Sequence, residues 1–297
     1  MTIYFLSGRL ATYCCWLAVV VVLACVSACQ KASSNPSPEP KPVVDSKREA
    51  PANPKPAADN DEKSWGTIKG QIVWDGGAIP EPKVLNVNKD QEHCLGKGPL
   101  LSEDWVINKA NKGIRWTFVW LAQEPDNKTP LPIHPTLKDI PNKEVEIDQP
   151  YCAFIPHSLA MREGQVLVAK NSAKIQHNVH WTGINQLKNP GGNQIIPAGG
   201  SLRIDNLKAE KMPLTVKCDI HPWMNARVGV FDHPYFAVTD ENGNFEIKLA
   251  PAGTYRLKVY HDSIGWRNGA AGREGERITI KAGEVTDVAK LGLKPSE

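Results

Sequence analysis

The chain has 297 residues, 41% of them hydrophobic, with 24 prolines and 23 glycines, which suits more than one small β-rich domain. A formal net charge of +3 is too weak and too evenly spread to draw nucleic acid or an acidic membrane surface, so charge points to neither as a partner.

Leu10 to Ala28 is an almost unbroken apolar run that follows Arg9 and ends in small residues, as a secretory signal does. It is marginal as a spanning helix, which needs about 20 apolar residues. The run closes with Val26-Ser27-Ala28-Cys29, which resembles the bacterial lipobox. That resemblance implies a signal peptide over 1–28, removed in the mature chain, and a lipid on Cys29, the membrane contact of an exported protein of the periplasm or outer membrane. Val22-Leu23-Ala24-Cys25 is a weaker competing site, and it exports the protein as well. Residues 29–64 carry Pro36, Pro38, Pro40, Pro42, Pro51, Pro54 and Pro56 among Ser, Ala, Lys, Glu and Asp. With almost nothing apolar to bury, this stretch cannot offset its ordering entropy and is expected to be a disordered, partly polyproline-II linker. Extended at about 3 Å per residue, it spans on the order of 100 Å.

From Trp65 the pattern turns to short alternating segments, and 65–143 is expected to be an N-terminal β-strand region packing on the domains C-terminal to it. Thr67 to Trp74 reads as a strand closed by the turn Asp75-Gly76-Gly77. Trp105 to Asn108 and Ile114 to Leu121 read as two more, joined around Asn111-Lys112-Gly113, with their tryptophans as core. A proline-rich loop, Pro125 to Pro141, leads to a strand from Glu144 to Asp148.

Two stretches then concentrate the chemistry: Gln176-His177-Asn178-Val179-His180 and Cys218-Asp219-Ile220-His221-Pro222-Trp223-Met224. A thiolate, an imidazole and a thioether on one short loop, with a further imidazole from elsewhere, make the soft, unsymmetrical donor set of a blue-copper centre. A short turn lets Cys218, His221 and Met224 converge, and a histidine on another strand closes the set. All ligand positions are then filled by protein, which suits electron transfer more than substrate chemistry. His177 and His180 both offer an imidazole. Residues three apart in a strand point to opposite faces, so one of the two faces the metal; His177 is preferred, with His180 as the alternative. His157 and Met161 read as a surface and a core residue.

The surrounding order is Phe154-Ile155-Pro156, Leu159 to Val168 with a turn at Gly164, Asn171, His177-Asn178-Val179, then strands at Ser201 to Ile204, Pro213 to Lys217 and Ala226 to Phe231. It resembles the cupredoxins, and the Cys-x-x-His-x-x-Met loop is similar to that of amicyanin, a relative of plastocyanin. The resemblance covers 144–232. It implies one type 1 copper held by His177, Cys218, His221 and Met224. It also implies an asparagine, Asn178, tying the two ligand segments together, and an exposed electron port at His221, Pro222 and Trp223.

Of seven cysteines, Cys14, Cys15 and Cys25 would leave with the signal, Cys29 would carry lipid and Cys218 would bind copper, as the two resemblances imply. Cys94 and Cys152 remain, an even pair in an oxidising compartment, and a disulfide is expected between them. The alternative is a second metal site that uses Cys152 and the nearby His157.

After Asp232, alternating runs resume: Phe236 to Thr239, the turn Asp240-Glu241-Asn242-Gly243, Asn244 to Leu249, Pro251-Ala252-Gly253, and Thr254 to His261. This order resembles the carboxypeptidase regulatory-like, prealbumin-type β-sandwich over 233–297, which is silent on function. Ile278 to Ile280 and Val285 to Leu293 complete it, and Thr67 to Trp74 resembles its opening strand. Asp240, Asn242 and Asn244 lack the glutamate of a calcium loop and read as a plain turn.

The fold is therefore expected to be all-β: a Greek-key cupredoxin sandwich plus a second prealbumin/Ig-like sandwich. The expected function is a membrane-tethered, non-enzymatic carrier of single electrons between periplasmic redox proteins, such as a c-type cytochrome or a dehydrogenase. The alternative is a copper-handling or glycan- or protein-binding lipoprotein whose copper is structural. Haem, zinc-helix, serine-elbow and phosphate-loop motifs are not found, nor are the His-x-His pairs of a multicopper oxidase.

Overall fold

The computed structural model describes residues 64–295. The expected signal, the Cys29 lipid site and the proline-rich linker up to residue 63 lie outside the described residues.

Strands form where apolar and polar residues alternate, because a pleated backbone sends successive side chains to opposite faces and buries one of them. In chain order they are β1 (Trp65–Trp74), β2 (Phe118–Ala122), β3 (Glu144–Ile147), β4 (Ser158–Arg162), β5 (Val166–Lys170), β6 (His177–Thr182), β7 (Gly192–Ile196) and β8 (Ser201–Ile204). After these come β9 (Leu214–Lys217), β10 (Asn225–Phe231), β11 (Phe236–Val238), β12 (Asn244–Pro251), β13 (Gly253–His261), β14 (Gly265–Trp266), β15 (Glu276–Ile280) and β16 (Val285–Leu293). Among the described residues one short α-helix, α1 (Gln91–Cys94), and two 3-10 turns, Pro135–Leu137 and Gly269–Glu274, interrupt them.

The strands build two sandwiches. In the first, the sheet β4-β10-β9-β6-β7 faces the sheet β3-β5-β8, and Ile147, Met161, Leu167, Val179, Ile204, Val216 and Val228 fill the space between. β10 runs parallel to β4 and antiparallel to β9, while β6 is antiparallel to both β9 and β7. In the second, β12-β1-β16 faces β11-β2-β13-β14, with β15 on β13, around Ile68, Ile72, Leu121, Phe245, Leu257 and Leu291. The chain is thus an all-β protein built of sandwiches.

The segment 65–143 is shared between the two cores. β1 is the middle strand of its sheet, antiparallel to β12 and parallel to β16, and β2 lies between β11 and β13. Residues 83–102 instead reach the first core, where Val87 and Cys94 are buried. We call this stretch the strap. It folds back on itself through a bridge between Val84 and Leu101 and the bond from Leu85 N to Leu100 O at 2.9 Å. A disulfide joins Cys94 to Cys152, with Cα atoms 5.3 Å apart, and fastens the strap to the first sandwich. Trp120 also packs on Phe231 of β10 at 5.4 Å, which links the cores.

Two expectations are corrected. Trp105 to Asn108 is not a strand, since only an isolated bridge pairs Ile107 with Ile114. The next strand begins at Phe118 instead of Ile114, because Trp116 takes φ 68, a left-handed conformation that interrupts a ladder. In the turn before β12, Asp240 Oδ1 accepts from the backbone N–H groups of Asn242 and Asn244, both at 2.8 Å. Gly243, at φ 74, is needed there, for a Cβ on it would lie 2.2 Å from the carbonyl oxygen of Ile72.

Candidate metal centre

Three strand ends of the first sandwich converge on one point. His177 opens β6, Cys218 directly follows β9, and Met224 directly precedes β10. β9 and β10 are antiparallel neighbours, so the seven residues from Cys218 to Met224 form the loop joining them. It is closed by Cys218 N donating to Met224 O at 3.1 Å and Met224 N donating to His221 O at 2.9 Å.

Within this frame, the Nδ1 atoms of His177 and His221 face each other at 2.9 Å. Cys218 Sγ lies 3.8 Å from the first and 3.7 Å from the second. Met224 is buried at the root of the same loop. A metal ion sits about 2 Å from an imidazole nitrogen and about 2.3 Å from a thiolate, which spaces such donors roughly 3–4 Å apart. The two sulfur separations fall in that range, and the nitrogen pair, at 2.9 Å, lies just under it. Two imidazoles and one thiolate with a methionine beside them are the donor set that suits copper.

Burial prepares these groups for a metal. His177, His221 and Cys218 are at most 1% exposed. Loss of water, followed by the field of His221, pushes His177 down to about 4, which keeps its imidazole neutral with a lone pair free at pH 7. His221 is also lowered, first by burial, against the opposing pull of the Asp90 carboxylate. Cys218 is the free cysteine among the described residues.

Asn178 joins the two ligand segments. Its Oδ1 accepts from the Cys218 thiol at 3.2 Å and from the backbone N–H groups of Asp219 at 2.7 Å and Ile220 at 3.1 Å. Its Nδ2 donates to Asn193 Oδ1 at 2.7 Å, and Asn193 Nδ2 donates to Asp219 Oδ2 at 2.6 Å. Asp219 Oδ2 also meets His180 Nδ1 at 2.9 Å, so His180 is turned away from the centre and engaged by that carboxylate. Asn193 lies on β7, a strand that the sequence pattern does not mark.

The exposed imidazole edge expected at His221 is corrected. His221 is fully buried, with Nε2 2.8 Å from Asp90 Oδ2, because the strap crosses over the end of the loop. Pro222 is exposed and Trp223 half-buried. Trp223 stands edge-on to His221, with ring centroids 5.2 Å apart, and its Nε1 donates to Cys152 O at 3.2 Å. It also lines a cleft of about 540 Å³ together with Tyr151, Trp116 and His157. Far from being a surface residue, His157 is 5% exposed and lies between Glu103 and Asp262. The second metal site is set aside, since Cys152 is committed to its disulfide.

No protein-family model matches the chain, and no curated protein matches it. Solved structures similar to part of it include cupredoxins. A purple cupredoxin from Nitrosopumilus maritimus is 19% identical over 29% of this chain and 97% of its own, with a TM-score of 0.25. An oxidised amicyanin variant is 18% identical over 30% of this chain and 82% of its own, with a TM-score of 0.27. A reduced amicyanin variant is 16% identical over 38% of this chain and 97% of its own, with a TM-score of 0.27.

Proposed function

We propose that this chain is a membrane-tethered type 1 copper protein that carries single electrons between exported redox proteins. His177, Cys218 and His221 would hold one copper per chain, with Met224 as the fourth ligand. The observation that carries this reading is the convergence of two Nδ1 atoms and one Sγ, all buried, within 4.8 Å of one another.

Bound there, copper supplies a one-electron couple between its cupric and cuprous states. The chain's own residues do the rest. Cys218 gives a thiolate, the two imidazoles give neutral nitrogens, and Asn178 locks one ligand segment to the other. A ligand set fixed on strand ends moves little between oxidation states, which favours transfer. With His221 covered, Pro222 and Trp223 are what remains of the expected port to face a partner. The partner is a redox protein such as a c-type cytochrome or a dehydrogenase, docking through a small interface below about 1,200 Å².

The signal-like run, the lipobox at Cys29 and the proline-rich linker support export to the periplasm or outer membrane on a lipid tether. The C-terminal strands support a carboxypeptidase regulatory-like sandwich over 233–297 that shares its core with β1 and β2. No enzyme activity is proposed. The burial of His221 favours a second reading, copper storage or a structural copper, in which no electron need leave.

Voltammetry of the copper-loaded protein separates the two. A carrier shows a reversible one-electron wave and rapid oxidation by a c-type cytochrome. A storage protein shows slow or irreversible transfer and gives up its copper readily to a chelator.

A further inference from the structure

The strap brings a carboxylate to the buried far side of the loop histidine. We propose that Asp90 is a positioning residue for the copper ligand His221: it grips the ring through Nε2 and sets a negative charge one imidazole away from the metal, which lowers the reduction potential. The inference rests on the copper reading above.

The contact assigns the ring's tautomer. A neutral imidazole has one N–H and one lone pair, and a carboxylate only accepts. With Asp90 Oδ2 2.8 Å from Nε2, that nitrogen carries the proton, which leaves the lone pair on Nδ1. Nδ1 is the atom that faces Cys218 Sγ and His177 Nδ1. A histidine that binds metal through one nitrogen and donates from the other is thereby held in both position and basicity. His177 has no such support, for its Nε2 is buried without a hydrogen-bond partner among the described residues.

Asp90 is committed to this task at some local expense. It precedes α1, where an aspartate ordinarily accepts from the first N–H groups of the helix, yet its side chain makes no capping bond. Its backbone lies at φ 47 and ψ 38, a left-handed conformation that aspartate tolerates better than most residues. The carboxylate is thereby aimed at His221. The arm is anchored two ways, by the Cys94–Cys152 disulfide four residues on and by Val87 in the core three residues before.

The sign of the effect comes from charge. An anion close to the metal favours the cupric over the cuprous state, so the potential falls. The Asp90 side chain is 39% exposed, which screens the effect without cancelling it.

The test uses the copper-loaded full chain and three variants. Asp90→Asn keeps an acceptor but removes the charge, Asp90→Ala removes both, and Glu92→Gln removes an exposed charge from the same helix. The expected result is a higher potential in both Asp90 variants, with Glu92→Gln unchanged and the blue band retained throughout. A measurement on the unaltered protein stands beside it: in ¹⁵N NMR of the cuprous form, the His221 Nε2 proton should exchange slowly, and in Asp90→Ala quickly. The inference is overturned if Asp90→Asn moves the potential no more than Glu92→Gln does, or if the His221 proton exchanges equally fast with and without Asp90. Either result in a blue protein overturns this inference alone. A chain that takes up no copper overturns the copper reading and this inference with it.

Discussion

Asn178 and Cys218 meet at 3.2 Å between Oδ1 and Sγ, and the same oxygen accepts the next two backbone N–H groups of the ligand loop. One side chain on β6 thus organises the start of a loop 40 residues away. Asn178→Ala leaves those N–H groups without their acceptor, and a part-buried donor left unmatched costs about 1–3 kcal/mol. The expected outcome is a loss of that order in urea unfolding of the copper-free protein. A shifted thiolate band is expected in the copper-loaded one. An unchanged midpoint together with an unchanged band would contradict the role given to Asn178.

The Cys94–Cys152 disulfide closes a loop of 58 residues. In the loop-entropy model such a closure stabilises by about 4 kcal/mol. Replacing both cysteines with serine is expected to lower the unfolding free energy by up to that amount and to loosen the strap. Hydrogen exchange should then quicken around Val87 and Asp90, while β9 and β10 stay protected. Alkylation of the denatured, unreduced protein followed by peptide mapping should modify Cys218 and leave the peptides of Cys94 and Cys152 joined. Separate, alkylated peptides for those two would refute the bond.

Acid should weaken the fold through two histidines away from the metal centre. Burial pushes His233 and His261 down to about 4 each, against about 6.5 in an unfolded chain. Both are neutral in either state above about 6.5. As the pH falls from there towards 4, the unfolded chain takes up protons that the folded chain refuses, so stability is lost over that window at up to about 1.4 kcal/mol per unit for each group. Urea midpoints at pH 7.5 and 5 should therefore differ, and His261→Gln should shrink the difference. A variant with the same pH slope as the parent would remove His261 from this explanation.

The ligand loop was legible in the sequence because its donors lie within seven residues, and a short turn leaves them no choice but to converge. Strand alternation said only that one of His177 and His180 faces the metal, and the choice of His177 came from the cupredoxin-like strand order. The disulfide came from counting cysteines. Asp90 was not legible: it reaches His221 across 131 residues, by a strap that passes from one sandwich to the other, and no local pattern marks such a crossing. For the same reason the port was expected at an imidazole edge that the strap covers. β7 escaped because Gly192-Asn193-Gln194-Ile195-Ile196 does not alternate, and its burial pattern shows one buried residue at the end. The run Ile114 to Leu121 alternates well enough to look continuous, but the left-handed turn at Trp116 is a tertiary outcome that its residues do not announce.

The most direct test of the copper reading compares the visible and EPR spectra of the copper-loaded protein with those of Cys218→Ser. The expected result is an intense thiolate-to-copper band with a narrow hyperfine splitting in the parent, and the loss of both in the variant. A variant that stays blue, or a parent that binds copper without that band, would contradict the assignment of Cys218 as the thiolate ligand.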